Sequence, residues 1–277
     1  VKRMVTNGND LYLLNAVQGN VLRAYMTGRG YDIDATFKCG PSQGPLVVGQ
    51  LVDIIALTPG TYKEAVILGI DANGNLLFCS PNGEQAEAVQ LALPGNFKES
   101  TNLEIDNGDL YVLDPESKAV WLYNNMDMAQ LPRDFFGEDR PNNMADVTDM
   151  VINNDDLFLL HADGQISKCA YSSLPQSPTR CEDPFPYQDA RAGRPSGALM
   201  EEATFSQIYL SPPPGPSIYT LDSQQQAIYY FSKRLAMQSQ YRPAEGLPAE
   251  PASAFAVNAQ RLVFLAIGSQ IYYTALP

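Results

Sequence analysis

Apolar and polar positions alternate in short bursts along the chain, and the bursts come in pairs. A strand-like segment, a polar turn and a second strand-like segment recur six times: DLYLLNAVQGNVLRAY (10–25), AVILGIDANGNLLFCS (65–80), DLYVLDPESKAVWLYN (109–124), DLFLLHADGQISKCAY (156–171), SIYTLDSQQQAIYYFS (217–232) and RLVFLAIGSQIYYTAL (261–276). Anchored on Leu11, Ile67, Leu110, Leu157, Ile218 and Leu262, the second strands follow at Val21, Leu76, Val120, Ile166, Ile228 and Ile271, each nine or ten residues on. Period-two alternation marks strands with two separate faces. The Gly, Asn, Asp, Pro and Ser of the turns suit hairpins.

A third strand precedes each pair: RMVTN (3–7), DIIAL (53–57), NLEID (102–106), DMVIN (149–153), SQIYL (206–210) and AFAVN (254–258). A weaker fourth follows most pairs, as at 31–38 and 179–185. Helical periodicity is nearly absent. A lone four-stranded sheet leaves both faces wet, whereas sheets packed face to face around an axis bury both. The pattern therefore predicts an all-β, six-bladed β-propeller of four-stranded antiparallel blades, a single domain over 1–277 with blades near 1–45, 46–96, 97–143, 144–197, 198–247 and 248–277. A β-sandwich or two small barrels fit six matched copies less well. The last copy has three strands, and the chain opens with Val1 directly on an inner strand. The expectation is an excised piece whose upstream segment supplies the missing strand.

The first residues of the inner strands are Arg3, Asp53, Asn102, Asp149, Ser206 and Ala254, five of them polar ahead of apolar neighbours. They are expected to form a polar collar at the channel mouth. There Asp53 and Asp149 either hold a divalent cation, through carboxylate oxygens, or are neutralised by Arg3. The long connections 40–50, 133–146, 187–202 and 242–253 share one rim and carry Arg133, Arg140, Arg191, Arg194 and Arg242 with Phe135, Phe136 and Tyr187. Arg and aromatic side chains dominate binding hot spots, so this rim is a candidate ligand surface. The alternative is solvated loop charge paired with local Asp and Glu.

Composition narrows the function. The formal net charge of −13 opposes binding to nucleic acid or anionic lipid. His161 is the one histidine, which excludes a multi-histidine metal centre, and it sits at a turn-initiating position. No nucleophile elbow, phosphate-binding loop or zinc-protease motif occurs, so no catalytic residue is assigned, and no cofactor is expected beyond that cation. Trp121 aligns with Leu77, Ser167 and Tyr229 and reads as an inter-blade filler. The four cysteines form no CxxC pair. An even count suits disulfides and an oxidising compartment, against four buried thiols in a cytosolic protein. Three connectivities are open. Cys169–Cys181, on neighbouring strands, is the first choice, which leaves Cys39–Cys79.

The hairpins DLYVLDPESKAVWLY and IYTLDSQQQAIYYF resemble blades of six-bladed NHL and YWTD propellers. The stretch LVDI…LGIDANGNLLFCSPNGE is similar to extracellular propeller regions of bacterial membrane proteins. In those, an intracellular serine/threonine kinase or PPM-type phosphatase domain precedes one membrane helix and then the propeller. The resemblance implies a monomeric ectodomain at the outer face of a bacterial membrane, with an upstream helix and intracellular domain, binding an extracellular ligand or protein. The phosphatase's metal-binding aspartates have no counterpart here. Two functions are carried forward: a non-enzymatic sensor or interaction domain, and a channel-mouth metal-dependent hydrolase or lyase, lactonase- or glycan-type, using Asp53 and Asp149.

Overall fold

The computed structural model describes residues 1–58, 60–137, 139–174, 177–195, 203–213, 215–243 and 246–276. Part of the 187–202 connection, residues 196–202, lies outside them. Blade 1 runs outward through Arg3–Asn7, Asp10–Leu14, Val21–Thr27 and Gly30–Ile33, and blade 2 through Leu51–Ala56, Ile67–Asp71, Asn75–Cys79 and Gln85–Gln90. Blade 3 comprises Asn102–Asp106, Asp109–Asp114, Ala119–Tyr123 and Arg133–Asp134, and blade 4 Val147–Asn153, Asp156–His161, Ile166–Leu174 and Ser177–Glu182. Blade 5 comprises Gln207–Leu210, Ile218–Asp222, Ala227–Phe231 and Ala236–Tyr241; blade 6 has three strands, Ala252–Val257, Leu262–Ile267 and Gln270–Ala275. Among the described residues the only helices are two single 3-10 turns. The inner strand of blade 6 packs against that of blade 1, so the ring closes.

Alternation in the hairpins explains why the blades stack. In blade 3, Leu110, Val112, Trp121 and Tyr123 join the apolar layer shared with blade 2. The intervening Tyr111, Leu113, Val120 and Leu122 join the layer shared with blade 4. Blade 4 repeats the division: Leu157 and Leu159 face blade 3, while Phe158 and Leu160 face blade 5. Each strand thus serves two interfaces, and burial of its large side chains contributes roughly 1.5–3 kcal/mol apiece. The turn glycine of 71–75 behaves as its position requires: Gly74 has φ +77°, and an added Cβ would lie 2.9 Å from Leu93.

Both predicted disulfides form. Cys169 and Cys181 are directly paired on neighbouring strands of blade 4, and Cys39 joins Cys79 across blades 1 and 2. Two details differ from the sequence expectation. Gln188–Asp189, within a connection expected to be free, pairs in parallel with Ala236–Tyr241 as a fifth strand of blade 5; an outer edge with unpaired backbone groups attracts such cover. The inner strand of blade 5 opens at Gln207, which pairs with Leu221 as Arg3, Asn102 and Asp149 pair with Leu14, Leu113 and Leu160. Gln207 therefore holds the collar register assigned to Ser206.

Candidate functional site

The collar converges on the axis, and Arg3 spans it. From blade 1, the Arg3 Nη1 donates to Asp149 Oδ2 of blade 4 at 2.7 Å, and its Nε lies 3.2 Å from Asp53 Oδ1 of blade 2. Blades 1 and 4 face each other in a six-membered ring, so the guanidinium crosses the channel and blocks it. The carboxylates have further fixed partners. Asp53 Oδ2 accepts the Leu103 N–H of blade 3 at 3.0 Å, and Asp149 Oδ2 accepts the Ile208 N–H of blade 5 at 3.0 Å. Asp149 Oδ1 accepts from Asn102 Nδ2 and from its neighbour's N–H, Met150. Gln207 Nε2 donates to the carbonyls of Lys2 and Ser253. The collar is thus a belt of polar ties between blades.

Above the belt opens an axial funnel of about 760 Å³. Its wall is largely apolar, with Val5, Ile54, Ile55, Ile105 and Ile152, and Arg3 and Glu104 close its narrow end. Thr6 and Tyr209 meet across the wall, hydroxyl to phenol at 3.5 Å. The mouth is ringed by the turns after the inner strands, including Asn7, Asp106, Asn153, Pro212 and Ala259, with Lys233 beside them. That face is opposite the long connections, which feed the other ends of the inner strands.

Burial sets the electrostatics. Desolvation pushes the Glu104 carboxyl up to about 8; Arg3 opposes the shift, and Asp53, Asp149 and Asp106 add to it. Desolvation likewise pushes Asp53 up to about 6, against Arg3 and the N–H groups of Leu103 and Ile54, with Asp149 adding to the rise. Burial disfavours the charge on Arg3, yet Asp149, Asp53 and Glu104 outweigh it and raise its pKa further. Three carboxylates face one guanidinium.

The rim residues fall elsewhere. Phe135 and Phe136 are corrected from rim to core: both are buried in the layer between blades 3 and 4, edge to face at 5.5 Å, because the outer strand of blade 3 turns them inward. Tyr187 is half-buried against Phe205 and Phe231, and its hydroxyl donates to the Gly164 carbonyl. Arg140 pairs with Asp134 at 2.5 Å and donates to the Lys118 carbonyl. Arg191 grips Asp189 through Nε and Nη2, and Arg194 lies 3.3 Å from the same carboxylate. Ser206 is exposed at the rim, its hydroxyl donating to the Leu221 carbonyl. None of these residues lines the funnel. Of the two alternatives for Asp53 and Asp149, a cation or Arg3, Arg3 stands in that place.

Sequence reasoning passed over Glu104, Thr6 and Tyr209. A signal for Glu104 was present. Two positions after each collar residue stand Val5, Ile55, Glu104, Val151, Tyr209 and Ala256, and Glu104 is the one charged residue in that column. It also passed over the surroundings of His161. Its Nδ1 lies 2.7 Å from Asp146 Oδ1 and its Nε2 2.7 Å from Ser167 Oγ, an order reminiscent of a nucleophile relay. Ser167 is fully buried and donates to Asp183 Oδ1, so no substrate reaches it. Blade 3 uses the same two positions for a structural tie, the Trp121 indole N–H donating to Asp114 at 3.1 Å.

No protein-family model matches the chain, and no curated protein matches it either. Among solved structures it is similar to the WD40 β-propeller domain of Doa1, with a TM-score of 0.57 and 11% identity over 99% of this chain and 91% of that one. It is also similar to XC5397 of Xanthomonas campestris, a gluconolactonase, with a TM-score of 0.60 and 12% identity over 97% of this chain and 82% of that one. What the chain shares with an interaction domain and with an enzyme at such identities is the fold: it is a six-bladed β-propeller.

Proposed function

We propose that the protein is a non-enzymatic extracellular binding propeller, a sensor or interaction domain, whose ligand enters the axial funnel rather than resting on the long-loop rim. One observation carries this reading: a concave space of about 760 Å³ with an apolar wall and a few convergent charged groups at its end. Those are the usual features of a small-molecule site. A non-catalytic role is supported by the state of the carboxylates. Both oxygens of Asp53 and of Asp149 are engaged by Arg3 or by neighbouring N–H groups. A metal-dependent hydrolase built on this pair would have to dismantle the plug. The two disulfides support an oxidising, extracellular setting. No helix of the described residues is long and apolar enough to cross a membrane.

The test uses ligand-observed NMR with a fragment set of small amines, acids, alcohols and sugars. Ala259→Trp, at the exposed mouth, is expected to abolish the binding seen with the native chain. Arg140→Ala and Arg191→Ala, on the opposite face, are expected to leave it intact. Binding that survives the blocked mouth and disappears with the rim variants would overturn the reading.

A further inference from the structure

We propose that the funnel binds a primary ammonium group, the charged end of a small molecule with an apolar body, and that Glu104 is the carboxylate that receives it. The inference rests on the funnel being a binding site and adds the chemistry of its occupant.

Glu104 differs from its neighbours in being under-partnered. Among the described residues its one ion pair is with Arg3 Nη2, at 3.9 Å, and no hydrogen bond reaches its carboxylate. Its side chain is 18% exposed, whereas those of Asp53 and Asp149 are at 2% and 4%. It is therefore the acceptor that the funnel presents. The charge balance favours a cation: Arg3 already faces three carboxylates, so an incoming anion would meet a net negative floor. A divalent metal ion wants six or more oxygens, and of the three carboxylates facing Arg3 Glu104 alone has both oxygens without a hydrogen bond. A quaternary ammonium is recognised by a cage of aromatic faces, and Tyr209 is the one aromatic residue lining the funnel. A primary ammonium, with three donors, fits better: Glu104 takes the charge, and the Thr6 hydroxyl and Tyr209 phenol on the same wall are neutral acceptors. The isoleucines and Val5 then cover an alkyl or similar body.

Glu104 must be ionised to hold a cation, which links binding to pH. The groups facing it are Arg3 from blade 1, Asp53 from blade 2, Asp106 of its own strand, Asp149 from blade 4 and Tyr209 from blade 5. With its carboxyl pushed up to about 8, cation binding at lower pH must expel a proton. Affinity for an ammonium that stays charged throughout should rise with pH by up to about tenfold per unit and level off above the folded-state value.

The experiment titrates the full chain with n-hexylamine, n-hexanol and hexanoate, following the methyl resonances of Ile54, Ile105 and Ile152. At pH 8.5 hexylamine is expected to bind at least about tenfold more tightly than hexanol, with hexanoate weakest. Its affinity should fall on going to pH 6 while that of hexanol stays flat. Glu104→Gln should erase both the preference for the amine and its pH dependence. Equal binding of hexylamine and hexanol to the native chain overturns the ammonium assignment and leaves the funnel as a binding site. An unchanged amine preference in Glu104→Gln does the same. Absence of any shift at the funnel methyls with all three probes overturns both readings.

Discussion

Arg3 and Arg191 each face carboxylates, yet one plugs the axis and the other decorates the rim. Arg191 takes its carboxylate partner from Asp189, two residues away, and also reaches Gln240, in a pair whose arginine water reaches. There Arg191, with Arg194 beside it, helps hold Asp189 below its usual carboxylate range, and the partners are local in sequence. Arg3 draws its partners from blades 2, 3 and 4, with Asp53 and Asp149 buried and Glu104 open to the funnel, and leaves an excess of negative charge behind. A dense set of loop arginines is conspicuous in a chain of net charge −13, and three of them, Arg140, Arg191 and Arg194, take their carboxylate partners from nearby in sequence. A single arginine at the axis, with more carboxylates than it can satisfy, creates a polarised site.

The sharpest test of the contrast removes the axial charge. Arg3→Met would strand Asp53 and Asp149 in the ring's centre, and breaking such a buried pair costs about 3–5 kcal/mol. Urea unfolding at pH 7 should show that loss, and the part due to Asp53 should shrink as pH falls through about 6 and its carboxyl protonates. A loss under 1 kcal/mol would mean the axis is no more critical than the rim.

A smaller effect is expected from the carboxyls themselves. Glu104 and Asp53 bind protons more tightly folded than unfolded, with folded values of about 8 and about 6. Their contribution to stability is therefore fully present below pH 4 and lost as pH rises to 8. For Glu104 this is roughly 2–4 kcal/mol across the window. Glu104→Gln should flatten the upper part of the profile, from pH 6 to 8, and leave the Asp53 part in place.

The smallest effect belongs to the rim. Asp189→Ala releases Arg191 and Arg194 into solvent and should cost no more than about 1 kcal/mol, diminishing with added salt. A larger loss would point instead to the parallel pairing of Gln188–Asp189 with blade 5 as a structural tie.

The repeat arithmetic made the architecture legible because a blade is a local object. Two faces per strand and one hairpin per copy are written within about sixteen residues, and the layers between blades follow from alternation, as with Leu110 and Tyr111 on opposite sides of blade 3. The pairing of Cys169 with Cys181 was legible for the same reason. Phe135, Phe136 and Ser206 were misplaced because a connection carries no such periodicity: in a loop, burial and register depend on what lies beneath it.

Taken alone, the sequence determined the number of blades, the antiparallel course of the hairpin strands and the polar character of the collar, since all three are set by period-two patterning and short turns. The tertiary structure decided that Arg3 would reach Asp149, 146 positions away, and that Glu104 would be left open to a funnel. Closing the ring brings residues from five blades to one axis. No local pattern specifies which of them meet there, because their convergence exists only once the last blade has packed against the first.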